Sequence, residues 1–250
     1  MIRTAASLRR AVLSALRPLA DPVRAAGAQR YLKSAMPCIG VAADPFRKAL
    51  RPVFARTPLE NAASWRALVL GLFRGAKYRE EWWAAAFLAA DRRARGFQTM
   101  DALPMYEEML VTAAWWDVVD DLATHRLSEI LRSEPARMKR VMRIWSRDEN
   151  LWKRRSAILC QVPLKRETDL RFLYEVIEPS LASREFFLRK AIGWALRSYA
   201  WTDPGEIARY VAANRDRLSP LSIREALKNV TRSGRRGSRR RRRPGPARRS

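Results

Sequence analysis

The sequence predicts an all-α fold, an α-solenoid built from helical hairpin repeats. Apolar residues recur at spacings of three and four, whereas the period-two runs and alternating β-branched residues that mark strands are scarce. The predicted helices are short and closely connected, which suits a solenoid better than a four-helix bundle. Trp116, Arg155 and Trp194 are 39 residues apart each time, close to the length of one hairpin in HEAT-like arrays.

The apolar periodicity predicts thirteen helices, five of which begin at a proline that follows a polar residue. Such a residue can cap the helix, and proline suits the first turn. The five pairs are Asp21-Pro22, Asp44-Pro45, Glu134-Pro135, Asp203-Pro204 and Ser219-Pro220. The predicted helices cover residues 6–19, 22–35, 45–55, 60–73, 77–93, 101–113, 115–132, 135–146, 149–162, 169–181, 184–200, 204–215 and 220–230.

The first thirty residues admit two interpretations. They are basic, rich in alanine and nearly free of acid, as an organellar transit peptide is. They also contain a helical apolar stripe, and Ala20-Asp21-Pro22 indicates a turn into a second helix. We therefore expect an ordinary first hairpin and keep a targeting signal as the alternative. The stripe consists of Leu8, Val12, Ala15, Leu16 and Leu19.

The helical pattern predicts one domain over residues 1–230 and a separate tail over residues 231–250. The connectors before Thr231 are too short for a flexible hinge. After it the apolar pattern stops, and Gly, Ser, Pro and Arg dominate. We expect this arginine-rich tail to be disordered.

The charge points to a polyanionic partner. The formal net charge is +25, and residues 231–250 contain ten arginines and no acid, which leaves +15 on residues 1–230. Such a field favours nucleic acid and releases its counterions on contact. The sequence therefore predicts a concave basic face on the solenoid, although a biased genome could also produce an arginine-rich surface.

The sequence lacks the residue patterns that several classes of functional site require. Cys38 and Cys160 fit no disulfide, zinc or thiol-catalysis pattern, which suits a reducing cytoplasm. His125 is the only histidine, so histidine triads and histidine-rich metal sites have no second member. There is no Walker-type or GxGxxG loop, and the longest apolar run, Trp82–Ala90, is too short to span a membrane. We expect no cofactor, no metal and no membrane contact.

Two charges interrupt apolar helix faces. Asp120 shares a stripe with Trp116, and Arg155 shares one with Leu151 and Ile158. A charge in such a place must be paired or used. The spacing leaves open an internal Asp120–Arg155 salt bridge or a functional site. Four neighbouring polar residues fall on another stripe, which we expect to be solvated: Asp117, Asp121, Thr124 and Ser128.

Longer motifs resemble one family, the AlkD-like DNA alkylation repair glycosylases, which are built from HEAT-like repeats. The resemblance runs from about Leu8 to Val230 in the same order throughout. The matching segments are Tyr31-Leu32-Lys33, Met36-Pro37-Cys38-Ile39-Gly40, Trp115-Trp116-Asp117-Val118-Val119-Asp120, Leu151-Trp152-Lys153-Arg154-Arg155-Ser156-Ala157-Ile158, Lys165-Arg166-Glu167-Thr168-Asp169, and Glu185-Phe186-Phe187-Leu188-Arg189-Lys190-Ala191-Ile192-Gly193-Trp194-Ala195-Leu196-Arg197.

The resemblance assigns roles to four residues. It implies that Trp116 and Trp194 contact the sugar and backbone of the damaged nucleotide, that Asp120 is the catalytic carboxylate, and that Arg155 holds the nearby phosphate. Family members excise cationic alkylpurines such as 3-methyladenine and 7-methylguanine, without needing a base-recognition pocket. The Cys38-containing turn and the arginine tail depart from the family pattern.

The predicted activity is that of a monofunctional DNA glycosylase, which leaves an abasic site. The residue types suit it, since one carboxylate can stabilise an oxocarbenium-like sugar and orient a water. Lys190 and Arg197, on the helix of Trp194, are candidate phosphate contacts. The expected partner is double-stranded DNA with alkylated bases, bound by a monomer in the bacterial cytoplasm at the nucleoid. The alternative is a non-catalytic HEAT-repeat protein that binds nucleic acid; a protein-binding scaffold is disfavoured by the charge.

Overall fold

The computed structural model describes the backbone of residues 2–241 and the side chains of residues 2–230. This part of the chain is helical without any strand, with 76% of the residues in helices, and the predicted all-α class is confirmed. None of its helices is both long and apolar enough to cross a membrane. The α-helices are α1 (Ala5–Leu16), α2 (Pro22–Leu32), α3 (Ala43–Ala55), α4 (Ala62–Arg74), α5 (Arg79–Ala89), α6 (Leu103–Ala113), α7 (Trp116–Asp121), α8 (Ser128–Ser133), α9 (Pro135–Trp145), α10 (Leu151–Leu159), α11 (Leu170–Ile177), α12 (Phe186–Tyr199), α13 (Pro204–Ala213) and α14 (Pro220–Arg241).

Every predicted helix has a counterpart, and one contains an irregularity. The predicted helix 115–132 comprises α7, a π-helical segment over Leu122–Leu127, and α8. Shorter 3-10 turns adjoin several other helices. The first helix ends earlier than expected, because a 3-10 turn with Pro18 follows Leu16. Leu19, predicted to belong to the apolar stripe, lies in this turn and is exposed.

The cap–proline pairs were mostly predictive of helix starts. The carboxylate of Asp21 accepts a hydrogen bond from the backbone N–H of Arg24, and Asp203 and Ser219 cap α13 and α14 in the same manner. The prediction for Asp44 is wrong. Helix α3 begins at Ala43, so Asp44 lies in the first turn. Its negative charge there still interacts favourably with the helix dipole.

The chain divides into two compact units, a first unit over Met1–Leu122 and a second unit over Ala123–Ser250. In the first unit, α1 packs against α3 and α4 and buries Leu8, Val12 and Leu16. Burial of each such side chain stabilises the fold by about 1.5–3 kcal/mol. The largest buried side chains of this unit are Trp65, Phe73 and Tyr106.

The second unit is organised around α12. This helix packs against α10 and α14, and its apolar face lies in one continuous core with α11 and α13. The backbone of α14 remains helical past Val230 as far as Arg241. This part of the helix lies inside the segment for which the sequence predicts disorder, and positions 242–250 of the predicted tail lie outside the described residues. The boundary between a folded domain and a disordered tail stays a prediction.

Candidate functional site

Trp116 begins a helix at a sharp change of chain direction. Ala114 ends α6 in the left-handed conformation (φ 43°), and Trp115 is extended, so that α7 starts at Trp116. The half-buried indole of Trp116 meets the ring of Tyr31 edge to face, with the centroids 5.8 Å apart. Tyr31 is 74% exposed, so the two aromatic side chains form a surface-accessible pair in the first unit.

A buried ion pair attaches α7 to α5. Asp117 accepts a hydrogen bond from the guanidinium of Arg79 and a second, 2.7 Å long, from the indole N–H of Trp83. Both charged side chains are almost fully buried. The prediction that Asp117 is solvated is therefore wrong, because α5 supplies two donors to its carboxylate. This anchor holds the helix that carries Trp116 and Asp120.

Asp120 lies in the last turn of α7 and is half-buried. The π-helical segment over Leu122–Leu127 follows directly. Such segments are rare and occur frequently at functional sites. Thr124, within this segment, and Ser128, directly after it, are buried, so the prediction that they are solvated is wrong. Asp120 thus lies, half-buried, directly before an irregular stretch of helix.

A buried carboxylate shapes the turn that contains Cys38. Glu80 accepts hydrogen bonds from the backbone N–H groups of Ile39 (2.9 Å), Gly40 (2.7 Å) and Val41 (3.4 Å). Gly40 has a φ of 89°, and a Cβ there would lie only 2.1 Å from the carbonyl oxygen of Asp21. The turn therefore requires glycine at this position.

Both cysteines are free and buried. Burial and the nearby charge of Glu80 raise the pKa of the Cys38 thiol to about 11. Burial alone raises the pKa of the Cys160 thiol to about 12. Both side chains therefore remain protonated thiols at neutral pH.

The first unit also contains an open cleft of about 710 Å³. Trp116 forms part of its wall, together with aromatic side chains from α3 and α5 and carboxylates from α5 and α7. The lining is Arg24, Ala28, Gly40, Val41, Ala42, Ala43, Phe46, Arg47, Glu80, Trp83, Ala86, Phe87, Ala90, Trp116, Asp117, Val118 and Asp121.

In the second unit, Arg155 lies on the inner face of α10, as its stripe predicts. The side chain is only 5% exposed. Its guanidinium donates to the carbonyl oxygen of Phe187 and lies over the ring of the same residue, 5.8 Å from the centroid. The ring of Trp152 is buried against Phe187 as well, with the centroids 5.0 Å apart. Arg155 is thus held in a fixed orientation by the first turn of α12.

Trp194 is half-buried on α12 and packs against the core of the second unit. The candidate phosphate contacts on the same helix, Lys190 and Arg197, both form ion pairs with Glu225 of α14. Lys228 is a third cation on this carboxylate, at 2.6 Å. The group of Lys190, Arg197, Glu225 and Lys228, which we call the Glu225 cluster, carries a net positive charge.

The charges of the Glu225 cluster set the pKa of its carboxyl group, and a glycine allows its close packing. Burial of Glu225 would raise its pKa, but hydrogen bonds from Lys228 and Lys190 and the charges of Lys190 and Arg197 outweigh this and lower it to about 2. Gly193 makes the arrangement possible, since a Cβ there would lie 2.5 Å from the Cβ of Glu225.

The structure places the predicted residues in two sets. Trp116 and Asp120 share α7 in the first unit, whereas Arg155 and Trp194 lie on α10 and α12 in the second. Within residues 2–230, no group of three or more His, Cys, Asp or Glu side chains could hold a metal ion. Five supporting residues have a role that the sequence pattern does not reveal: Tyr31, Arg79, Trp83, Asp117 and Glu225.

Comparison with known proteins identifies the family of the chain and a solved structure of similar fold. The sequence model of a family described as DNA alkylation repair enzyme matches residues 12–230. A solved structure described as a predicted DNA alkylation repair enzyme from Enterococcus faecalis is similar in fold, with a TM-score of 0.73 and 24% identity. The match covers 84% of this chain and 95% of that one. No curated protein matches the chain. Because the family match extends over most of its length, the chain belongs to the DNA alkylation repair enzyme family.

Proposed function

We propose that this protein is a DNA glycosylase, which hydrolyses the N-glycosidic bond of cationic N3- and N7-alkylated purines in duplex DNA. The product is an abasic site, and water is the final nucleophile. The observation that carries the proposal is the half-buried carboxylate of Asp120, one turn after Trp116 on the anchored helix α7. Membership of the DNA alkylation repair enzyme family supports it.

Asp120 has the properties that this chemistry requires. An alkylated purine already carries positive charge and leaves readily, so no second carboxylate has to act as general acid, unlike in ordinary glycoside hydrolysis. As the bond breaks, positive charge develops on the sugar. A carboxylate held on an anchored helix can stabilise that charge without reorganising, and it can also orient the attacking water.

Trp116 contributes an aromatic surface next to Asp120. An indole face attracts a cationic group by about 0.5–2 kcal/mol, depending on desolvation. The exposed ring of Tyr31 supports the indole at its edge. We propose that Trp116 packs on the sugar of the damaged nucleotide while its charge develops.

Arg155 and Trp194 of the second unit take the roles that the family resemblance implies. Arg155 would hold a phosphate beside the lesion, and Trp194 would contact the sugar–phosphate backbone. The guanidinium of Arg155 is already oriented by Phe187, and a preoriented guanidinium binds phosphate with defined geometry. Lys190 and Arg197 would add to phosphate binding through the positive charge of the Glu225 cluster.

The decisive variant is Asp120→Asn, which removes the negative charge and preserves the shape of the side chain. We expect base release from methylated duplex DNA to fall by about 100- to 1000-fold, the loss that follows removal of one preorganised electrostatic group. DNA binding should change little, since backbone contacts do not need this carboxylate. Release of methylated bases is measured by chromatography, and binding by fluorescence anisotropy.

Asp101→Asn is a suitable control, because Asp101 is an exposed aspartate of the first unit that lies in the 3-10 turn Met100–Ala102 and not on α7. This variant should release bases at the native rate. Equal release by the native protein and Asp120→Asn would contradict the proposal. Absence of release from both would leave the non-catalytic, nucleic-acid-binding alternative as the better account.

A further inference from the structure

One turn of the second unit holds a lysine in a backbone conformation that favours glycine. Lys165 lies inside the segment Val162–Glu167, with a φ of 53° and a ψ of −111°. These angles are close to those of the first central position of a type II′ turn, where glycine prevails. The conformation is unfavourable for a residue with a Cβ, and it persists only where the surrounding structure enforces it. The proposed function gives this lysine no role.

Hydrogen bonds enforce the conformation of the segment Val162–Glu167, which we call the Lys165 turn. The side chain of Gln161 accepts a hydrogen bond from the backbone N–H of Asp169 at 2.9 Å and donates one to the carbonyl oxygen of the same residue at 3.0 Å. Within this bracket, the backbone N–H of Thr168 donates to the carbonyl oxygen of Lys165 at 3.2 Å. Because Gln161 is buried, water does not compete for its bonds. The backbone around Lys165 is therefore held in one conformation.

The Lys165 turn packs against the side of α12 that carries Trp194. The hydroxyl of Ser198 donates a hydrogen bond to the carbonyl oxygen of Val162 at 2.7 Å. Ser198 follows Trp194 by four residues, so the two side chains lie on one face of the helix. Arg197, a candidate phosphate contact, directly precedes Ser198. The turn thus flanks the part of α12 that the proposed function assigns to DNA.

Lys165 and Arg166 give the turn a positive charge at the surface. Both side chains are exposed, and neither forms an ion pair within the described side chains of residues 2–230. The acid of the turn, Glu167, is paired with Arg132 at 3.1 Å. The cations of the Glu225 cluster, by contrast, share a carboxylate. The Lys165 turn therefore offers its charge to a ligand without first breaking an ion pair.

We propose that Lys165 binds a phosphate of the DNA backbone beside Trp194, with Arg166 as its neighbour in the same contact. Lysine at a position that favours glycine costs stability, and a phosphate contact accounts for its presence there. Contacts of this kind fix the register of a protein on the duplex and carry no sequence information. The inference rests on the proposed function for the identity of the partner, duplex DNA.

The test separates stability from DNA binding. Lys165→Gly relieves the backbone strain and removes the charge. It should increase the ratio of folded to unfolded protein by about three- to tenfold and yet weaken DNA binding. Lys165→Gln removes the charge and keeps the Cβ, so it should weaken binding at unchanged stability. Stability is measured by urea unfolding, and affinity for an undamaged duplex by fluorescence anisotropy over a range of salt concentrations.

The salt dependence reports the phosphate contact itself. Loss of one contact should lower the slope of log affinity against log salt by about 0.9 in both variants, and affinity at low salt by about two- to fivefold. Lys165→Arg keeps the charge and should retain the native slope. Arg215→Gln is the matched control, because Arg215 is an exposed cation in the turn after α13 of the same unit. Its slope should stay close to the native value.

An unchanged salt slope in Lys165→Gln, or an equal change in Arg215→Gln, would overturn the inference. A loss of stability in Lys165→Gly would also overturn it. Weaker binding by a more stable Lys165→Gly variant supports it, because a lysine with a purely structural role would change both properties in the same direction. The duplex contains no lesion, so this result stands even if methylated DNA releases no base and the proposed glycosylase activity fails.

Discussion

Glu225 is the residue with the clearest electrostatic consequence for stability. Its carboxylate is 6% exposed and binds Lys190, Arg197 and Lys228. Burial opposes ionisation, but these cations lower its pKa from 4.5 to about 2. Because the native state binds this proton less readily than the unfolded state, stability rises with pH between the two values.

The stability that Glu225 contributes should therefore be complete above pH 4.5 and be lost as the pH falls through about 2. The shift corresponds to on the order of 3 kcal/mol in the free energy of unfolding. Urea unfolding of the native protein and of Glu225→Gln should differ most near neutral pH and converge in acid. Glu149→Gln, at an exposed position of the second unit, should show no such convergence. If the free energies of unfolding of the native protein and of Glu225→Gln differed by the same amount at every pH, this assignment would be contradicted.

Residues that carry charge on an apolar face could be identified from sequence, whereas their partners could not. The inward position of Arg155 follows from its spacing to Leu151 and Ile158, and the structure confirms it. The pattern on α7 alone predicts a solvated Asp117, since its partner, Arg79, lies 38 positions earlier on another helix. Helical periodicity describes one helix at a time and contains no information on which side chains meet between helices.

Ala114 is the point at which helix direction changes before Trp116. It is one of the few residues other than glycine with a positive φ, at 43°, a conformation that costs an alanine about 1–2 kcal/mol. Ala114→Gly should therefore increase the free energy of unfolding by about 0.5–1 kcal/mol. Denaturant titration followed by circular dichroism measures this change.

Ala26→Gly provides the opposite case, since Ala26 is exposed in the interior of α2. There glycine should lower stability by about 0.5–1 kcal/mol. A loss of stability in Ala114→Gly would mean that the left-handed turn before α7 is not strained.

At the level of elements, the thirteen predicted helices all occur, because each has its own apolar stripe and several have polar caps. The π-helical segment over Leu122–Leu127 was not predictable. One widened turn alters the hydrogen-bond pattern without changing the spacing of neighbouring apolar residues enough to interrupt the stripe. The start of α3 at Ala43 was missed because the proline at position 45 suggested a later first turn.

The charge of the whole molecule predicts strong dependence of DNA binding on salt. Residues 234–250 contain nine arginines, and each neutralised phosphate steepens the dependence of log affinity on log salt by about 0.9. Deletion of Gly234–Ser250 should flatten this slope without abolishing base release at low salt. A tail of equal length with serine in place of arginine should behave as the deletion does. An unchanged slope would show that the tail does not contact DNA.

The fold class and the basic character of the molecule could both be predicted from composition and periodicity. The division into two units could not, because the boundary between Leu122 and Ala123 falls within a predicted continuous helix. No glycine, proline or polar linker marks it. The cleft was also unpredictable, since its lining comes from α2, α3, α5, α7 and the turn between α2 and α3.

The state of the two thiols matters for a member of a DNA alkylation repair enzyme family. The electrophiles that damage purines also attack cysteine, and they do so through the thiolate. Cys38 and Cys160 are both buried, and their raised pKa values keep the sulfur protonated and unreactive. The protein therefore offers little nucleophilic sulfur to alkylating agents, and it should stay folded and unmodified at these two positions under alkylating conditions.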